Sequence, residues 1–147
     1  MLLVELFDSK IDYKVEVASA HKFMTSATIE DREIIFVSEI EDQGRYGMEA
    51  TIEFGEMKPG RDGKKRITYD LTGSGGEMKV FSMVGQSVKE MVNRYQPDMI
   101  LFSADKDGKE TSKRADVYEK LLKKFAPEYE AIRKDAGQSI LFQLVKK

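Results

Sequence analysis

The fold is decided by residues 66–102, RITYDLTGSGGEMKVFSMVGQSVKEMVNRYQPDMILF. Apolar and polar residues first alternate, which is typical of a strand with one buried face. A glycine-rich segment, residues 73–76, follows, and apolar residues then recur at three- and four-residue steps over residues 78–95, as on a helix that packs by one face. Pro97 ends this helix, and the apolar run of residues 99–102 predicts a strand that is buried on both faces.

The chain before this stretch carries mostly strand patterns. Alternation of apolar and polar residues predicts strands over residues 13–17, 48–54 and 67–71, and the β-branched and aromatic run of residues 34–37 predicts another. The last two alternating segments are joined by residues 58–64, where Pro-Gly and Asp-Gly favour a turn. We therefore expect a long antiparallel hairpin with an exposed basic tip.

The chain after this stretch returns to a helix and then to strands. An apolar stripe predicts a second helix over residues 113–125, and residues 129–134 and 139–146 read as a closing pair of strands. Residues 1–147 are thus predicted to form a single α+β domain. Its sheet is mixed and mostly antiparallel, with two packed helices and the strand of residues 99–103 at its centre.

Composition excludes several classes of function. A hydrophobic share of 41% and a charged share of 34% favour a folded globular domain over a disordered chain. The absence of cysteine excludes thiolate chemistry, and the single histidine, His21, excludes a His-rich metal site. Because the net charge is -2 and no apolar stretch approaches the length of a membrane span, we expect neither nucleic acid nor a membrane as partner, and a cytoplasmic location.

From Arg66 onwards, the order of elements resembles the later half of a GNAT-type acyltransferase fold. Residues 117–121, VYEKL, are also similar to the second-helix motif of that family. The resemblance implies that the protein binds acetyl-CoA and that Tyr118 protonates the departing CoA thiolate as a general acid. It also implies a loop whose backbone amides hold the cofactor's pyrophosphate. The residues of this loop would be Gly73, Ser74, Gly75 and Gly76.

The chain departs from the family pattern at both motifs. Residues 122–125, LKKF, replace the family's Gly-Phe, and Glu77 places a negative charge beside the amides that would meet a diphosphate. That charge would repel the ligand by about 1 kcal/mol near the surface. Each motif also has a purely conformational interpretation. Glycines commonly join a strand to a helix, and Tyr118 lies in the apolar stripe of its predicted helix.

Two functions therefore remain open. The favoured one is a non-catalytic or degenerate GNAT-like protein that binds a protein partner, and the alternative is an acyl-CoA-dependent N-acetyltransferase. An enzyme would need a base, for which Glu49, Glu53 and Asp70 are candidates. It would also need a splayed cleft between the strand before the glycine segment and the strand of residues 99–103.

The chain is also similar in style to small accessory proteins of tailed bacteriophages. This similarity concerns origin and implies no activity, and a phage-encoded chain is expected in the host cytoplasm. A homo-oligomer that uses a free sheet edge is left open.

Two further patterns favour solvated surface over a binding site. Asp105, Asp107 and Asp116 lack the spacing and the closing glutamate of a calcium loop. The basic residues of the hairpin tip and of the second helix lack the interleaved aromatics that single-stranded nucleic acids favour.

His21 has no carboxylate partner at a suitable spacing, so a surface histidine is favoured over a catalytic base.

Overall fold

A computed structural model describes residues 10–68, 77–105, 111–136 and 139–147. These residues form eight strands and two α-helices. The strands are β1 (Lys14–Ala18), β2 (Lys22–Ile29), β3 (Arg32–Asp42), β4 (Met48–Pro59), β5 (Lys65–Thr68), β6 (Met99–Asp105), β7 (Tyr129–Ala136) and β8 (Ser139–Lys146). The helices are α1 (Glu77–Tyr95) and α2 (Thr111–Phe125), and a 3-10 turn at Gly44–Tyr46 joins β3 to β4.

The strands form one open sheet in the order β1-β2-β3-β4-β6-β8-β7, and β5 pairs with β4 off this path. All of the described ladders are antiparallel except the one between β4 and β6. The prediction of an α+β domain with a mixed, mostly antiparallel sheet and two helices is therefore confirmed. The strand at residues 99–103 lies inside the sheet, between β4 and β8, as predicted. The prediction that it is buried on both faces holds only for the helix face, because Met99 and Leu101 on the other face are half-buried.

Strand β2 was not predicted, because Thr25, Ser26 and Thr28 interrupt its apolar pattern. It pairs with β3 along its whole length, through eight residue pairs. A tight turn joins β2 to β3, and Glu30 and Asp31 adopt positive φ angles of 51° and 63° there. Short turns of this kind favour antiparallel pairing of the flanking strands.

The predicted hairpin between β4 and β5 is present, and its described ladder is short. Residues 56–59 pair with residues 65–68, and residues 69–71 of the predicted strand lie outside the described residues. The earlier part of β4 pairs with β3 on one side and with β6 on the other. Strand β4 therefore has three neighbours and links both halves of the sheet.

Both helices pack on one face of the sheet. The buried side chains of this face occupy alternate strand positions, so β2, β3, β4, β6, β7 and β8 each contribute one face to the core. Helix α1 supplies Val80, Met83, Val84, Val88 and Met91, and helix α2 supplies Leu121 and Leu122. The main sheet residues of the core are Phe23, Ile34, Phe36, Ile40, Ile52, Phe54, Ile100, Phe102, Phe142 and Leu144.

The two helices meet at a glycine. A Cβ atom on Gly85 would lie 2.1 Å from Cε2 of Phe125, so the ring of α2 packs directly on the backbone of α1. Within the described residues, no helix is long and apolar enough to cross a membrane.

The opposite face of the sheet is buried only in part. Ile35 and Val37 of β3 are buried there. Ile132 of β7 and Val145 of β8 are 39% and 36% exposed, respectively. Apolar surface is therefore presented at the β8-β7 end of this face.

Tyr129, at the start of β7, ties the end of α2 to the loop before β6. Its hydroxyl donates a hydrogen bond to the Pro97 carbonyl, and its side chain is buried. Burial, assisted by the negative charges of Glu128 and Asp98, raises the pKa of Tyr129 to about 12. Ionisation of this phenol therefore opposes folding.

This raised pKa predicts a specific loss of stability in alkali. The contribution of Tyr129 is complete below its unfolded pKa of 10.0 and is lost as the pH rises to about 12. The loss should be on the order of 2 kcal/mol. We expect Tyr129→Phe to be less stable at pH 9 by about 1 kcal/mol, for the missing hydrogen bond. Urea unfolding should show the gap to the wild type closing between pH 10 and pH 12, and parallel pH curves would contradict the prediction.

Candidate functional site at the sheet fork

The parallel ladder between β4 and β6 is short and ends inside the sheet. It joins residues 49–52 to residues 99–102, four residue pairs. Beyond it, β4 continues to Pro59 and pairs with β5 from Glu56 onwards, and β6 continues beside β8. In the described part of the chain, residues 53–55 and 103–105 form no ladder with each other. We call this separation of β4 and β6 the fork.

Tyr118 of α2 lies at the start of the fork, on the helix face of the sheet. Its ring centroid is 5.3 Å from that of Phe102 and 5.7 Å from those of Phe54 and Phe81. All three contacts are edge-to-face, with interplanar angles of 80° to 88°. Phe54 and Phe102 are themselves stacked across the ladder at 5.7 Å. The ring of Tyr118 therefore closes an aromatic cluster, as its place in the apolar stripe indicated.

Glu56 is the one buried residue with a formal charge in the part of the chain that the structure describes. It is 6% exposed and lies on the helix face, two residues beyond Phe54. Its Oε2 is 3.3 Å from Nζ of Lys58 and 4.0 Å from a guanidinium nitrogen of Arg32. Two cations thus compensate the buried carboxylate, which would otherwise be costly to desolvate.

Sequence reasoning missed Glu56, although the pattern of β4 contains a signal for it. The buried face of β4 is formed by every second residue, Ala50, Ile52 and Phe54. Glu56 is the next residue in this alternation. A carboxylate in an apolar phase requires a buried cationic partner. Arg32 lies at the start of another strand, so local sequence does not reveal the pair.

The two described candidate bases, Glu49 and Glu53, do not join Tyr118. Glu49 and Glu53 alternate with the buried residues of β4, so they project from the face opposite the helices. Asp70 lies outside the described residues, and so do Gly73, Ser74, Gly75 and Gly76, the predicted cofactor segment. The described part of the site therefore holds a phenol and a compensated carboxylate on one face, and the carboxylates of Glu49 and Glu53 on the other.

His21 and Asp116 occupy ordinary surface positions, and Asp107 lies outside the described residues. His21 is exposed in the turn between β1 and β2. Asp116 binds Arg133 at 2.6 Å, and Lys123 binds Glu119 at 3.5 Å. Among the described residues, no group of three or more His, Asp or Glu side chains is placed to hold a metal ion.

Comparison with known proteins finds no family model that matches this chain and no curated relative.

The aromatic cluster predicts a structural role for the ring of Tyr118. Tyr118→Ala should lower the free energy of unfolding by about 2–4 kcal/mol, because it removes three ring contacts from a half-buried position. Tyr118→Phe keeps the ring and should cost at most about 1 kcal/mol. Lys120→Ala, at an exposed position of the same helix, is the control and should stay within about 0.5 kcal/mol of the wild type. An alanine variant as stable as the control in urea unfolding would exclude this role.

The ion pairs of Glu56 predict that replacing this buried residue costs more stability than replacing its exposed partner Lys58. Glu56→Gln leaves the shape intact and removes the carboxylate that compensates the largely buried guanidinium of Arg32, so we expect a loss of about 2–4 kcal/mol. Lys58→Ala should cost less than about 1 kcal/mol, because the Lys58 side chain is 59% exposed. Denaturant unfolding measures the loss in free energy of unfolding for both variants. Equal losses would contradict the prediction that the buried carboxylate contributes more than Lys58.

Proposed function

We propose that the protein is a non-catalytic binding protein with a GNAT-like scaffold and a protein partner. The observation that carries this proposal is the separation of the candidate acid from the two candidate bases that the structure describes. Tyr118 lies on the helix face, whereas Glu49 and Glu53 project from the opposite face. Acid–base catalysis requires both groups within hydrogen-bond reach of one substrate. The sheet itself lies between them.

The environment of the two remaining groups supports the same proposal. The Tyr118 ring is used in packing against three aromatic side chains. The Glu56 carboxylate shares the helix face, and it is already engaged by Lys58 and Arg32. Both side chains thus have structural roles that account for their presence without catalysis.

The protein surface supplies features that suit a protein partner. Tyr46, in the 3-10 turn, is 71% exposed, and the guanidinium carbon of Arg45 lies 5.1 Å from its ring centroid. Tyrosine and arginine are enriched among the residues that dominate binding energy at protein interfaces. Because Arg45 packs on the ring, part of the ordering cost of this pair is met before binding.

A second candidate function, an acyl-CoA-dependent N-acetyltransferase, is favoured by the fork. Within the described residues, the parallel strands β4 and β6 separate after four residue pairs, and Tyr118 lies at the point of separation. Helix α1 begins at Glu77, directly after the predicted phosphate segment. The start of α1 and Tyr118 are the positions that the family resemblance assigns to the cofactor and to the general acid. The cleft that it requires lies between β5 and β6, whereas the fork lies between β4 and β6.

Calorimetric titration with acetyl-CoA and with CoA distinguishes the two functions. We expect no binding at millimolar ligand, because Glu77 opposes a diphosphate at the start of α1. Gly75→Glu is the control, since it adds a second negative charge to the predicted loop. Micromolar binding by the wild type that is lost in Gly75→Glu would overturn the non-catalytic proposal. Tyr118→Phe would then test for a general acid through a drop in kcat at unchanged stability.

A further inference from the structure

The two edges of the sheet differ in regularity. Strand β1, at one edge, pairs with β2 through a register that shifts between Val15 and Val17. Such irregularities protect an edge from pairing with another strand. Strand β7, at the other edge, pairs with β8 through eight consecutive residue pairs with no shift. In the part of the chain that the structure describes, β8 is its one neighbour.

The outer side of β7 presents backbone groups at alternate residues. The Lys147 amide donates to the Glu128 carbonyl at 3.0 Å, so the hydrogen-bonded pairs between β7 and β8 involve the even-numbered residues of β7. The odd-numbered residues therefore direct their N–H and C=O groups away from β8. Tyr129 is one of these odd-numbered residues, and its amide donates to the Ala126 carbonyl and not to β8. Ala131 and Arg133 are thus positioned to pair with an added strand.

The exposed face of β7 is complementary to itself. Glu130, Ile132 and Lys134 share this face, and all three are exposed. If a second β7 runs antiparallel with Ile132 opposite Ile132, then Glu130 of each copy lies opposite Lys134 of the other. Both ends of the pairing then match a negative with a positive charge, and the centre matches two apolar side chains.

The backbone of β7 favours the same register. In it, Ala131 of one copy faces Arg133 of the other, so the outward N–H and C=O groups of these residues form the hydrogen-bonded pairs. Ile132 then occupies a non-hydrogen-bonded pair, where opposite side chains approach most closely. On the helix face, the small Ala131 leaves room for the long Arg133 of the other copy.

We propose that β7 pairs antiparallel with β7 of a second copy of this chain, centred on Ile132, so that the two sheets become one. This inference depends on the sheet edge and is independent of the proposed function at the fork. The partner is a second copy because charge, apolar contact and backbone pairing are satisfied together in one register of β7 against itself.

A charge-reversal series tests the partner and the register together. Sedimentation equilibrium of the wild type across the micromolar range should show a dimer. Glu130→Lys places two lysines opposite each other at both ends, and should raise the dimer Kd by at least about tenfold. Lys134→Glu should act in the same way, and the double variant Glu130→Lys/Lys134→Glu should restore the wild-type Kd. Glu39→Lys, an exposed change of equal charge on internal strand β3, is the control and should leave the Kd unchanged.

Cysteine cross-linking tests the same register independently of affinity. The chain contains no cysteine, so Ile132→Cys introduces a single thiol. In the proposed pair, its Cα lies about 4.5 Å from its counterpart, within the range of a disulfide. Oxidation should convert most of this variant to a covalent dimer. Val145→Cys is the matched control, because Val145 is 36% exposed on the same face while Ile132 is 39% exposed. Its counterpart would lie at least roughly 14 Å away, which excludes a disulfide.

Two results would overturn the proposal. One is a monomeric wild type together with equal cross-linking of the Ile132 and Val145 cysteine variants. The other is a dimer that the charge reversals leave unchanged, which would assign the contact to another surface. Circular dichroism of each variant confirms that the fold is retained, because all of the substituted positions are exposed.

Discussion

The structure depends on four residue pairs of parallel ladder between β4 and β6. On one side of this ladder, β1 to β5 form an antiparallel assembly, and on the other side β6, β8 and β7 form a second one. Parallel neighbours require a long crossover connection, and α1 lies within it. Its contacts with β2 and β3 anchor the crossover to the first assembly. The stacked rings of Phe54, Phe102 and Phe142 continue the connection through the core.

The shortness of this ladder explains why an aromatic residue of α2 lies at the fork. Where β4 and β6 separate, the sheet no longer provides a continuous surface of paired side chains. Tyr118 covers the point of separation by placing its ring against Phe54 and Phe102 at once. The position at which the family resemblance implies a general acid is therefore also a position that packing requires. A tyrosine here is expected whether or not the fork binds a cofactor.

The local sequence pattern was sufficient to predict the elements whose apolar residues follow an uninterrupted pattern. Helix α1 and strand β6 were predicted within a few residues, because their apolar patterns are uninterrupted. Strand β2 was not, because Thr25 is polar and yet fully buried. Its hydroxyl is satisfied by Ser87 at 2.8 Å, 62 residues away in sequence. The fork and the pairing of Glu56 with Arg32 share this property, since each depends on strands brought together by the crossover.

The two proposed properties of this protein are physically separable. The fork opens between β4 and β6, and the β7 edge lies on the far side of β8. Pairing at β7 uses backbone groups that point away from the rest of the sheet, so it leaves the fork and the Arg45–Tyr46 turn uncovered. A dimer of this kind would present two copies of each surface on one continuous sheet. It would thereby let a partner with two matching sites bind with an affinity that neither surface provides alone.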